Sequence, residues 1–120
     1  MKELTKIKNK FSNEYQQLND IILSSIGFEQ PILNDLKNYY KGSTGKQIRA
    51  LCLFEACTLL EVNIDHKVIK LAAIIELLHN ATIIHDDVVD LSDKRRGKQT
   101  INNTYGNRTA ILLGDYIYSK

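Results

Sequence analysis

Residues 65–91, DHKVIKLAAIIELLHNATIIHDDVVDL, decide the fold. Asp65 is a fair N-cap, since its carboxylate can accept a free N–H of a first helical turn. The pattern after it predicts one long helix from His66 to about Leu91. Its most apolar part, Leu71 to Ile84, is interrupted by Glu76, His79, Asn80 and Thr82. It therefore falls short of the roughly 18 uninterrupted apolar residues that a bilayer span asks for, and no membrane span is expected.

Outward from this segment, helix signals dominate and strand signals are scarce. Leu4, Ile7, Phe11, Tyr15, Leu18 and Ile22 recur at spacings of three and four, the stripe of one amphipathic helix over residues 3–23. Gly27 is placed to end it, and Pro31 to open a short helix from Ile32 to Tyr40. Gly42-Ser43-Thr44-Gly45 reads as a flexible break. Lys46 to Leu60 reads as a helix apolar nearly all round, which implies burial on several sides. Ser92 to Tyr105 reads as a basic polar loop and Gly106 to Tyr118 as a final helix. The expected class is all-α.

The chain has 120 residues, and 16 Lys and Arg against 14 Asp and Glu give it a net charge of +2. That balance is too small to indicate a nucleic-acid or membrane-surface partner. Taken alone, the length suggests one small domain. Met1 to Lys10 alternates Lys with polar residues and no apolar core of signal-peptide length follows, so a cytoplasmic location is expected. Cys52 and Cys57 are five apart in a helical pattern, where their side chains diverge; they read as two buried thiols, neither bridged nor a zinc site.

Two stretches carry chemistry. Gly45-Lys46 fails as a phosphate-binding P-loop, because Tyr40 stands where a Gly is needed, Gln47 where Ser or Thr is needed, and no strand precedes it. Lys46 and Arg49 still lie one turn apart at a helix start, where the dipole also favours an anion. The second stretch is His85-Asp86-Asp87-Val88-Val89-Asp90. At about 100° per residue Asp86 and Asp90 fall about 40° apart, with Asp87 on the same side. Carboxylates gathered at a helix C-terminus oppose the dipole and repel one another unless a cation offsets them. An incomplete oxygen shell suits Mg²⁺, which keeps waters and completes its octahedron with phosphates. Asp93-Lys94-Arg95-Arg96-Gly97-Lys98 then brings cations close by, and His79 projects from the same face two turns earlier. Carboxylate-held Mg²⁺ beside guanidinium groups makes a receptacle for a diphosphate. The plainer alternative is a salt-bridge network between helix end and loop.

These residues resemble a known family. Leu78 to Asp90, followed by Arg95-Arg96-Gly97-Lys98, is similar to the first aspartate-rich region of the trans-isoprenyl (polyprenyl) diphosphate synthases. Gly45-Lys46-Gln47-Ile48-Arg49 resembles their Gly-Lys-x-x-Arg segment, and Tyr105-Gly106-Asn107 with Leu113-Gly114-Asp115-Tyr116 resembles the helix after the loop. The likeness runs from about residue 40 to the C-terminus and is of the octaprenyl diphosphate synthase kind. It implies the N-terminal helices of the isoprenoid synthase bundle, with residues 1–120 forming a partial synthase domain.

By position, the resemblance gives Asp86 and Asp90 to Mg²⁺ against the allylic diphosphate, with Asp87 supporting them as part of the metal site. It gives Arg95 to that same diphosphate, and Lys46, Arg49, His79 and Arg96 to the diphosphate of isopentenyl diphosphate. The implied reaction joins isopentenyl diphosphate to an allylic prenyl diphosphate by electrophilic chain extension. Leu78, Ala81 and Thr82 occupy the places that floor the hydrocarbon tunnel, and the absence of an aromatic between Lys70 and His85 favours a long, octaprenyl-type product. The chain departs from the family at Gln47, where Arg is usual, at Ala50, where Pro is usual, and at Gln99. The family's second aspartate-rich motif would lie beyond residue 120, so the 120 residues alone are expected to be inactive. The resemblance also implies a homo-oligomer for the complete protein. The alternative reading is a non-catalytic remnant, or an interaction subunit that pairs with a complementing synthase chain.

Overall fold

In a computed structural model describing residues 2–27, 30–43, 47–95 and 97–120, the Asp65 carboxylate accepts the Val68 N–H at 3.1 Å and starts the longest helix. Seven helices occur in chain order among these residues: α1 Lys2–Lys10, α2 Ser12–Ile26, α3 Pro31–Ser43, α4 Ile48–Leu59, α5 His66–Val89, α6 Ile101–Tyr105 and α7 Asn107–Tyr118. Between α5 and α6 a two-stranded antiparallel hairpin pairs β1 Lys94–Arg95 with β2 Lys98–Gln99, Lys94 facing Gln99 and Arg95 facing Lys98. The expected all-α class holds, with this hairpin inside what the sequence presents as loop.

Helix α5 is the axis: α2, α4, α6 and α7 all pack against it. It is long and apolar enough by length and composition to cross a membrane, and here those qualities serve a helix with neighbours on several sides. Ala72, Ala73 and Ala81 on α5 and Ala110 on α7 are buried, and such small side chains let helix backbones come close. Phe54 of α4 meets Phe11 in a tilted ring contact with centroids 5.6 Å apart, and Leu18, Ile22 and Ile26 of α2 are fully buried. Each such aliphatic side chain contributes roughly 1.5–3 kcal/mol of transfer free energy.

Besides the hairpin and helix α6, which both fall within the expected loop over 92–105, four expectations need correction. The helix over 3–23 is bent into α1 and α2 at Phe11, whose backbone leaves helical values (φ −110°, ψ 31°) while its N–H still reaches Ile7 O and its carbonyl still receives Tyr15 N–H. The apolar stripe continues through the bend, which is why periodicity alone reads one helix. Helix α4 is not buried on all sides: Ala50, Leu51, Phe54 and Cys57 face inward, while Leu59 and Leu60 are 81% and 75% exposed. Cys57 is buried but Cys52 is exposed, and both are free thiols. Helix α3 runs on from Tyr40 to Ser43, into the expected break, whose Thr44 and Gly45 lie outside the described residues.

Helix α5 ends in a Schellman turn. Leu91 takes φ 55°, Ser92 N–H bonds to Asp87 O at 3.0 Å and Leu91 N–H to Val88 O at 3.3 Å. The close approach of α7 to α5 requires Gly114, where an added Cβ would lie 2.3 Å from His85 Nε2. The imidazole has little freedom to move, because Nε2 donates to Ile111 O at 3.0 Å and lies 3.3 Å from Asp115 Oδ1. Gly114→Ala is therefore expected to lower stability by about 1–3 kcal/mol, the usual cost of overpacking. Thermal denaturation checks this, and an unchanged melting temperature would contradict the packing described.

Candidate functional site

The last two turns of α5 sort three carboxylates into two environments. Asp87 follows Ala73, Leu77, Ala81 and Ile84 along the inward stripe at spacings of three and four, and is 1% exposed. Asp86 and Asp90 flank that stripe and stand exposed on one side of the helix end, one turn apart. Asp87 meets Arg95 of β1: Arg95 Nη2 lies 2.6 Å from Oδ1, and Nε lies 3.2 Å from both carboxylate oxygens. The hydrogen bond to Asp87 and its charge, opposed by partial burial, hold the Arg95 guanidinium above its ordinary range. Such forked, charge-assisted pairing satisfies a carboxylate that would otherwise be stranded in the core.

A second set of bonds ties the hairpin down. Thr100, fully buried, donates through Oγ1 to Ser92 O at 2.8 Å and accepts the Asn103 N–H at 3.2 Å, capping α6. Its own N–H bonds to Asp93 O at 2.9 Å. Asn102 Nδ2 donates to Ser92 O at 3.1 Å and, more weakly, to Asp87 O at 3.4 Å. Gly97, at φ 78°, occupies the turn of the hairpin. Lys94 and Lys98 are exposed on this clamped loop.

The structure thus brings Asp86, Asp90, Arg95, Lys94 and Lys98 to one end of α5. It pairs Asp87, to which the sequence reading gave a supporting place in the metal site, with Arg95. Among the described residues no three His, Cys, Asp or Glu side chains converge closely enough to hold a metal ion. Two open carboxylates suit Mg²⁺, which binds through one or two carboxylates and takes its remaining oxygens from water and phosphate. His79 is half-buried on α5, two turns before Asp86, and Arg49 is exposed at the start of α4. Lys46 and Arg96 lie outside the described residues.

Tyr118 is a residue the sequence reading missed. It comes from α7 to place its hydroxyl 2.8 Å from Thr82 Oγ1, and its ring lies 5.5 Å from that of His85. The stretch Lys70 to His85 lacks an aromatic of its own, yet one is delivered to Thr82 from elsewhere in the chain. The spacing within α5 carries no signal for it.

With this geometry in place, known proteins agree. A family model described as Polyprenyl synthetase matches residues 30–120. The chain is 40% identical over 114 residues to solanesyl diphosphate synthase 1, chloroplastic, of Arabidopsis thaliana, covering 89% of this chain and 28% of that protein. It is 36% identical over 117 residues to the octaprenyl diphosphate synthase of Escherichia coli, covering 98% of this chain and 36% of that protein. Its backbone superimposes on a decaprenyl diphosphate synthase from Rhodobacter capsulatus with a TM-score of 0.88 at 28% identity, covering 97% of this chain and 36% of the other. A polyprenyl synthase from Caulobacter crescentus, complexed with calcium and isoprenyl diphosphate, gives 0.87 at 28% identity, covering 97% and 35%. The chain belongs to the polyprenyl synthetase family and spans about a third of the length of these relatives.

The clamp generates a test. Thr100→Val keeps the side-chain shape but removes the α6 cap and the bond to Ser92, and is expected to cost about 1–2 kcal/mol. Amide exchange should quicken across residues 92–103 while α2 is unaffected. Equal protection in both forms would contradict the clamp.

Proposed function

We propose that this chain provides one wall of the active site of a Mg²⁺-dependent trans-prenyltransferase. The reaction condenses isopentenyl diphosphate with an allylic diphosphate to extend a polyprenyl chain. The observation that carries this reading is the exposed Asp86 and Asp90 pair beside a cationic hairpin that Asp87 ties to the same helix turn. The relatives' names, and the calcium and isoprenyl diphosphate bound to the Caulobacter protein, support the same reading.

In this reading Asp86 and Asp90 hold the metal, and Lys94 and Lys98 add positive potential on the substrate side. Mg²⁺, when bound, supplies Lewis-acid stabilisation of the departing diphosphate. Asp87 keeps Arg95 oriented toward the acidic turn, which leaves the guanidinium edge not engaged by Asp87 for the allylic diphosphate. Lys46, Arg49, His79 and Arg96 take the diphosphate of isopentenyl diphosphate. The relatives' names favour a long product; Ala81 is fully buried, so exposed Leu78 and Thr82 are left to floor the tunnel, where Tyr118 adds an aromatic beside Thr82.

The wall needs the rest of a helical domain around it. The radius of gyration is 15.1 Å, against about 13.6 Å for a compact domain of this size. Its least extent is 20 Å, the thickness of two helices. Leu112 on α7 and Val89 at the end of α5 are 61% and 79% exposed. Those apolar surfaces also favour the second reading, an interaction subunit that pairs with a complementing synthase chain or with a second copy.

Calorimetric titration of the 120-residue chain with inorganic pyrophosphate, with and without Mg²⁺, tests the metal assignment. Binding should depend on Mg²⁺, and the double change Asp86→Ala with Asp90→Ala should weaken it at least about tenfold, the scale set by losing two charged metal ligands. Affinity unchanged by that substitution would refute the assignment.

A further inference from the structure

Glu76 is an acidic side chain of the core that the mechanism above does not use. It is 2% exposed on α5, three residues before His79, and its Oε1 accepts the Ala50 N–H at 3.1 Å. Ala50, itself fully buried, is the third residue of α4, and its N–H is among the four that a helix start leaves without an internal partner. Helix α4 has no side-chain cap of its own: Gln47, at φ 49° and ψ 42°, makes no capping bond. Gln47 Nε2 instead donates to Asn19 Oδ1 of α2 at 2.9 Å. The start of α4 is therefore gripped from outside, by Glu76 of α5 and Asn19 of α2. Burial and the Glu76 carboxylate together push the Tyr15 hydroxyl up.

A proline at 50 would have no N–H to offer, so the bond to Glu76 depends on residue 50 keeping its amide. A carboxylate is suited to the place, since a helix N-terminus carries partial positive charge.

We propose that Glu76 is a positioning residue: by holding the Ala50 N–H it fixes the start of α4 on α5. That sets the placement of Arg49, the preceding residue on α4, relative to His79, one turn further along α5, for one diphosphate. This rests on the reading of Arg49 and His79 as diphosphate ligands.

The test uses the full 120-residue chain and inorganic pyrophosphate as the probe, read by calorimetry together with the amide exchange rate of Ala50. Glu76→Leu removes the acceptor and Glu76→Gln keeps one. Ala50→Pro removes the donor at a first-turn position, and it carries the test should Glu76→Leu fail to fold. The proposal expects Glu76→Leu and Ala50→Pro to weaken pyrophosphate binding about tenfold, the scale of one lost buried hydrogen bond. Glu76→Gln should restore affinity to within about twofold, and exchange at Ala50 should quicken in Glu76→Leu alone of the two Glu76 variants. A merely structural role would lower the melting temperature and leave the affinity of the folded chain unchanged, which would overturn the proposal. If the unaltered chain does not bind pyrophosphate, or Arg49→Ala binds as well as it does, the diphosphate reading itself fails and the positioning role falls with it.

Discussion

The ion pair between Asp87 and Arg95 is the contact on which the rest of the site depends. One partner lies on the inward stripe of α5, and the other on a hairpin with no hydrophobic side of its own. A lone carboxylate in that position would be strongly destabilising, and a two-residue ladder would not hold its shape unaided. Joined, they fix which way the basic loop leaves the helix. Asp86 and Asp90 remain in solvent because Asp87 has turned inward, and the cations of the hairpin stand near them because Arg95 is anchored. Arrangement of charge here follows from burial of one group.

The same logic runs along the whole of α5. Its apolar content lets it serve as the axis, and it carries polar groups at intervals that each answer a neighbour. Glu76 meets the start of α4, His85 meets the carbonyl of Ile111 across Gly114, and Asp87 meets Arg95. Each contact docks a different element on α5, so the helix acts as the ruler against which the surrounding charged residues are spaced. Leu59 and Leu60 at the end of α4 and Leu112 on α7 make none of these contacts, whereas Ile111, whose carbonyl meets His85, is itself 44% exposed.

Much of this was legible in the sequence. Asp65 as a cap, the long helix behind it, and the gathering of acidic and basic residues around residue 90 follow from local chemistry. The role of Asp87 was half legible: counting three and four from Ala81 through Ile84 places it inward, but nothing local names Arg95 as its partner. The bend at Phe11 was hidden because the hydrophobic stripe passes through it unbroken. Exposure of Leu59, Leu60 and Cys52 could not be read, since an apolar helix does not announce which sides have neighbours. Thr100 looked like loop, although a threonine three residues before Asn103 is a usable cap signal, and Gly97 is a usable turn signal. Tyr118 at Thr82 and Glu76 at Ala50 join residues 36 and 26 positions apart, and such pairings belong to the tertiary fold.

The most direct check is a double-mutant cycle on Asp87 and Arg95, using Asp87→Asn, Arg95→Gln and the two together, read by denaturant unfolding. If Asp87 anchors the hairpin, the two changes are strongly non-additive, with a coupling of at least about 1.5 kcal/mol, as for a charge-assisted pair with one partner buried. Additive losses would mean that the two side chains act independently, and the account of how the acidic turn and the basic loop are held together would be wrong.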